Sequence, residues 1–175
     1  YPLKEKNKIL KKNKISKFHS KFSFIFSGFN IRSTDLNAYL GITQLKKINK
    51  IARIRQYNYN IFKKYLNNFH YQNCETDILS NFGFAVLVSN RDKVYEYLTK
   101  KKIECRPIIA GNISKQLFWK KLSKKQKFHK ANLIHDYGIY LPNHVNLKKK
   151  DIIYICEEFI KKAKTLVKKR DLLLL

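Results

Sequence analysis

The stretch Gly28-Phe29-Asn30-Ile31-Arg32-Ser33-Thr34-Asp35-Leu36-Asn37-Ala38 joins two kinds of sequence pattern. Ahead of it, Phe22, Phe24 and Phe26 alternate with Ser23, Ile25 and Ser27, a period of two that predicts a short extended segment. Behind it, Ser33 or Thr34 is placed to cap a helix whose first turn carries Asp35. Between the two, Asn30 and Arg32 are two residues apart, so on extended backbone they point to the same side. A guanidinium matches a pyrophosphate through paired hydrogen bonds. The Asn30 amide can donate to a phosphate oxygen without adding charge, or Asn30 is a turn residue after Gly28. The plain alternative for Arg32 is a surface ion pair, which stabilises little.

Working outward, the helical pattern runs from about Asp35 to Asn67. Ala38, Ile42, Leu45 and Ile48 form one stripe, and Ile51, Ile54, Ile61 and Tyr65 continue it after a phase shift near Asn49–Lys50, predicting two helices or one bent helix. Gly41 inside that pattern suggests close packing, since glycine disfavours a helix interior by about 1 kcal/mol relative to alanine. Phe82–Ser89 reads as a strand with Phe84, Val86 and Val88 on one face. Arg91–Lys101 reads as a helix with Val94, Tyr97 and Leu98 inward. Ile103–Ile109 reads as a second strand, which Pro107 confines to an edge or an end. A long polar loop is expected from Gly111, anchored by Trp119, then a short helix Lys130–Tyr137 ended by Gly138, then a strand Ile139–Leu141. Asn146 is a candidate cap for the last helix. There Ile152, Ile155, Cys156, Phe159, Ile160, Ala163, Leu166 and Val167 recur at amphipathic spacing. Residues 1–21 look like a poorly packed lead-in or a connector. The whole predicts a small α+β domain with helices on one side of its sheet.

At 175 residues and 44% hydrophobic, the chain is long enough for one domain and too apolar to be disordered. The net charge of +26 comes mostly from lysines scattered along the chain, a pattern of solvated surface that A/T-rich codons also favour. Its functional counterpart is a polyanion partner, nucleic acid included. Cys74, Cys105 and Cys156 form no CxxC pair and no metal spacing, which predicts free thiols, a reducing cytoplasm and no metal. No apolar run is long enough to span a bilayer. The start at Tyr1 and the lack of Met suggest a piece of something longer, or a truncated gene product.

Three segments carry a resemblance. They are Gly28–Ala38 with Gly41-Ile42 and Gln44-Leu45-Lys46-Lys47; Ile103-Glu104-Cys105-Arg106-Pro107-Ile108-Ile109-Ala110-Gly111-Asn112; and Gly138-Ile139-Tyr140-Leu141-Pro142-Asn143-His144. In order and spacing, over about residues 22–165, they resemble the DegT/DnrJ/EryC1/StrS family of pyridoxal-phosphate sugar enzymes. The resemblance implies an aspartate-aminotransferase-like fold, of which this chain would supply the end of the large domain (1–33), the small C-terminal domain (34–170) and a tail (171–175). It implies pyridoxal or pyridoxamine 5'-phosphate as cofactor, and a nucleotide-linked keto sugar as substrate. It also implies glutamate as amino donor, a homodimer, and a place in cell-surface polysaccharide or O-antigen sugar synthesis. The activity would be amino transfer or C3 dehydration. The cofactor's Schiff-base Lys, or the His that replaces it in the dehydratases, has no matching context here, so the segment is expected to be inactive alone.

By the same resemblance Asn30 reaches the cofactor phosphate across a dimer, and Phe22, Arg32, Arg106, Asn112 and His144 contact substrate. Each has a plainer reading: Phe22 as core, Arg106 as a surface ion pair, Asn112 as a Gly-Asn turn, His144 as a loop residue. The competing function is a basic, non-enzymatic binding module for nucleic acid or another polyanion. It rests on the charge and on the 14% aromatic content, with no zinc, RNP or recognition-helix pattern behind it.

Overall fold

A computed structural model describes residues 3–25, 34–122 and 128–166. Asn30, Arg32 and Val167, and the proposed tail, lie outside the described residues. The chain opens with α1 (Leu3–Lys12) and α2 (Lys17–Ser20), then α3 (Asp35–Leu45), α4 (Ile48–Tyr65), β1 (His70–Tyr71) and β2 (Gly83–Leu87). It continues with α5 (Arg91–Lys100), α6 (Leu117–Leu122), α7 (His129–Tyr137), β3 (Gly138–Pro142) and α8 (Lys149–Lys162).

The sheet is antiparallel in the order β1-β2-β3, with Phe84 opposite Leu141 and Val86 opposite Ile139. That register sends Phe84, Val86, Ile139 and Leu141, all fully buried, to one face. There they meet Phe62 of α4, Val94 and Leu98 of α5, and Ile152, Cys156 and Phe159 of α8. Phe62 stacks on Phe84 with ring centroids 4.9 Å apart. Beside this core the Glu158 carboxylate accepts from Tyr97 Oη at 2.7 Å and is bridged by Lys161 and Lys101. Its hydrogen bonds from Lys161 and Tyr97 hold its pKa down at about 2.

The strand and helix expectations for 82–101 and 129–142 hold to within a residue or two, and the α+β class holds. Several other expectations hold only in part or fail. Residues 3–21 are not loosely packed, because Leu10, Phe18 and His19 are buried. The segment after Phe22 is irregular up to Ile25, with Phe26 beyond the described residues. Two separate helices occupy 35–65, broken at Lys46–Lys47 ahead of the anticipated position. Thr34 caps α3, its Oγ1 accepting from Asn37 N–H at 3.3 Å. No residue of α3 is buried, and nothing lies within 4 Å of a Cβ built on Gly41, so the close packing expected there is absent.

Ile103–Ile109 is no strand. Only Arg106 pairs with Tyr140, because Pro107 has no N–H to continue a ladder and Ile109 and Ala110 then turn at positive φ (42° and 57°). The loop after Gly111 holds α6, and it is pinned by Gln116 and Leu117 more than by the half-buried Trp119. The last helix is capped at Lys148, whose N–H donates to Asp151 Oδ2 at 2.8 Å, not at Asn146. Ile160 faces out of it. On the sheet's second face Ala85 and Leu87 line a cavity of about 720 Å³ together with Ile108, Ile109 and Ile134.

Candidate active-site groove

The single rung between Arg106 and Tyr140 lays the 104–112 segment beside the end of β3, and a groove forms along it. Tyr140 N–H donates to the Arg106 carbonyl at 2.7 Å. The Tyr140 ring lies over Gly83, where a Cβ would meet its Cδ1 at 3.0 Å, and tilts against Phe82 at 5.1 Å. Phe82, Tyr140 and Arg106 thus form a wall shared by two lobes.

One lobe, about 560 Å³, is aromatic, lined by Phe22, Phe24 and Phe118 and by the turn from Pro107 to Gly111. Gln116 holds its shape. Its amide donates to the carbonyls of Phe22 and Ala110 at 3.1 Å each, and its Oε1 accepts from Phe24 N–H at 2.9 Å. The other lobe, about 290 Å³, is polar and includes Arg55, Glu104, Asn143 and His144. Cys105 lines it too, but burial pushes that thiol up to about 12, too high for a nucleophilic thiolate at neutral pH.

Arg106 is half exposed and pairs with Glu104 through Nε (3.0 Å) and Nη2 (2.7 Å). An exposed ion pair of this kind contributes only about 0–1 kcal/mol, so an incoming anion can compete for the guanidinium. His144 is exposed, and its Nδ1 accepts from Asn146 N–H at 3.2 Å, which leaves Nε2–H as a donor. Asn112 is different. It is buried, its Oδ1 accepts from Ser114 N–H and Oγ, and its amide donates to Asn132 Oδ1 at 2.8 Å. Its backbone N–H donates to His135 Nδ1 at 3.0 Å, just after Gly111, whose φ of 76° and contact with the His135 ring leave no room for a Cβ. The geometry therefore brings Phe22, Arg106 and His144 to one groove and sets Asn112 behind it, fixing the turn.

Arg55, Phe82, Phe118, Tyr140 and Gln116 belong to the groove and were not singled out from sequence. Arginine is scarce in this lysine-rich chain, a signal that marks Arg55 as much as Arg106. The aromatics carry no sequence signal that separates groove from core. Among the described residues no lysine lines either lobe, and no group of three or more His, Cys, Asp or Glu could hold a metal ion. A flat ring finds aromatic faces here and an anion finds the guanidiniums of Arg106 and Arg55, so the residues fit the edge of a cofactor and substrate site. No described helix is long and apolar enough to cross a membrane.

The family profile for the DegT/DnrJ/EryC1/StrS aminotransferase family matches residues 2–160. A GDP-4-keto-6-deoxy-D-mannose 3-dehydratase from Yersinia pseudotuberculosis is 31% identical over 152 residues, 81% of this chain and 39% of that protein. A GDP-perosamine synthase from Escherichia coli O157:H7 is 25% identical, over 74% of this chain and 36% of that one. A crystal structure of a GDP-4-keto-6-deoxymannose 3-dehydratase, holding PLP and glutamate trapped together, superposes with a TM-score of 0.64 at 27% identity. It covers 83% of this chain and 40% of that chain. The chain thus spans about 40% of the length of these relatives and has the corresponding part of their fold.

Proposed function

Since the chain belongs to the DegT/DnrJ/EryC1/StrS aminotransferase family, we propose that it is the substrate-facing part of a PLP-dependent enzyme acting on a GDP-linked 4-keto-6-deoxy sugar. The observation that carries this reading is the two-lobed groove with Arg106 in its shared wall. An aromatic lobe suits a flat ring, and a polar lobe beside a displaceable guanidinium suits phosphate and sugar oxygens. Phe22 packs against the ring, Arg106 and His144 Nε2–H donate to the anion, and Asn112 keeps the turn in place. Asn30 and Arg32, just ahead of the 33/34 domain boundary in sequence, complete the phosphate contacts of a partner subunit.

PLP or its amine form would supply the electron sink for chemistry at the sugar carbon, with glutamate as the amino source. The group that moves the proton at the cofactor lies outside these residues. The relatives' length supports that division. A homodimer is supported by α3, where Leu36, Tyr39, Leu40, Ile42 and Leu45 stand exposed among the described residues. The product would enter cell-surface polysaccharide synthesis in the cytoplasm.

The test uses the gene product that carries this chain, supplied with PLP, glutamate and GDP-4-keto-6-deoxymannose. Expected are cofactor absorbance and turnover of the sugar. An aminated sugar would mark a transaminase, and a 3-deoxy sugar with ammonia released would mark a dehydratase. A folded protein with neither absorbance nor turnover would refute the proposal.

A further inference from the structure

The segment 104–106 presents an acid and a base side by side. Arg106 is held on Tyr140 by a backbone hydrogen bond in each direction, an antiparallel rung that fixes this stretch of chain. Glu104 and Arg106, two residues apart, project to the same side, while Cys105 between them is buried. Glu104 Oε1 accepts from Arg106 Nε at 3.0 Å and from Nη2 at 2.7 Å. Those two nitrogens form an edge that a carboxylate or a phosphate takes in a paired contact. Both partners are open to water, the Glu104 side chain 70% exposed and that of Arg106 50% exposed. Parting them buries no charge and costs no more than the pair itself, which is little for an exposed pair. Among the described residues Glu104 is the sole carboxylate lining either lobe, and it stands there beside Arg55, Arg106 and His144.

A carboxylate that already fills the Nε/Nη2 edge changes what the edge will accept. An incoming carboxylate exchanges one such contact for an equivalent one. It loses that exchange, because Glu104 is tethered two residues away at high effective concentration. A diphosphate brings more charge and several oxygens, and it takes the guanidinium while Glu104 swings into water. We propose that Glu104 is a specificity residue: it occupies Arg106 as a resident carboxylate, keeps other carboxylates off it, and gives way to the phosphates of the nucleotide-linked substrate. The inference rests on the nucleotide-sugar reading above and deepens it, since that reading brings both a nucleotide sugar and glutamate to one site. Glu104 keeps glutamate from settling on the arginine that the nucleotide needs.

The test uses the gene product that carries this chain and follows GDP binding by calorimetry at fixed ionic strength, with and without glutarate. Glutarate has the two carboxylates of glutamate and no amine to react with the cofactor. In the wild type, glutarate should leave GDP affinity unchanged. Glu104→Gln frees the edge, so GDP should bind about fivefold tighter, the factor that corresponds to a well-made exposed pair. Glutarate should now compete with it. Glu96→Gln removes the same charge from an exposed residue of α5 that lines neither lobe, and it should change neither result. In an Arg106→Gln background, Glu104→Gln should lose its effect on GDP, because no edge remains to free. GDP binding that is no tighter in Glu104→Gln overturns the role of Glu104 and leaves the nucleotide site standing. Tightening that persists in the Arg106→Gln background, or competition by glutarate in the wild type, overturns it equally. If GDP binds neither the wild type nor Glu104→Gln, the reading beneath falls with it.

Discussion

His19 and His135 stack face to face with ring centroids 4.1 Å apart, and the pair makes the stability of this chain depend on pH in a calculable way. His19 is 8% exposed. Burial, with the Arg91 guanidinium beside it, lowers its pKa from 6.5 to about 4, against a smaller upward pull from the His135 carbonyl, Asp92 and Asp136. Burial, then His19 and Lys115, lower His135 likewise to about 4. A histidine whose pKa is depressed by folding takes up its proton in the unfolded chain first. Stability is therefore unaffected above pH 6.5 and falls as pH drops from there towards 4. At about pH 5 the unfolded ring is almost wholly protonated and the folded one hardly at all. That difference amounts to about 2 kcal/mol for one ring, and to roughly 1–2 kcal/mol once partial solvation is allowed for. His19→Phe keeps an aromatic ring against His135 and removes one proton site. Urea unfolding followed by circular dichroism, at about pH 7 and about pH 5, should show the wild type losing roughly 1–2 kcal/mol more than His19→Phe. Parallel losses in the two proteins would refute the account.

Two other outcomes follow from the core. Phe62→Ala, at a fully buried site stacked on Phe84, should cost about 3–5 kcal/mol in the same unfolding assay, and a loss under about 1 kcal/mol would mean the core is not packed as described. A thiol reagent at neutral pH should label Cys74, which is exposed, quickly. It should reach Cys105 and Cys156 only on unfolding, since burial pushes both thiols up to about 12. Three fast thiols in the native chain would contradict that.

Where a segment's own pattern decided its state, the sequence was enough. The alternation of Phe84, Val86 and Val88, the spacing of Val94 with Leu98, and the recurrence of Ile152, Ile155, Cys156 and Phe159 each named an element and its buried face. All of those residues are in the core. The motif segments named the family, because their glycines, prolines and polar residues recur in order whatever surrounds them. What periodicity could not decide was whether an apolar stripe has anything to lie against. Ala38, Ile42 and Leu45 make as regular a stripe as α8 does, yet α3 has no buried residue, because burial depends on a partner surface and not on the helix itself. Nor could spacing separate Asn112, spent on its own turn, from Arg106, held only by an exposed Glu104. The groove exists only because residues far apart in the chain, Arg55, Arg106 and His144 among them, meet across β3. Which side chains meet there is fixed by the folded backbone around them, and no local pattern records it.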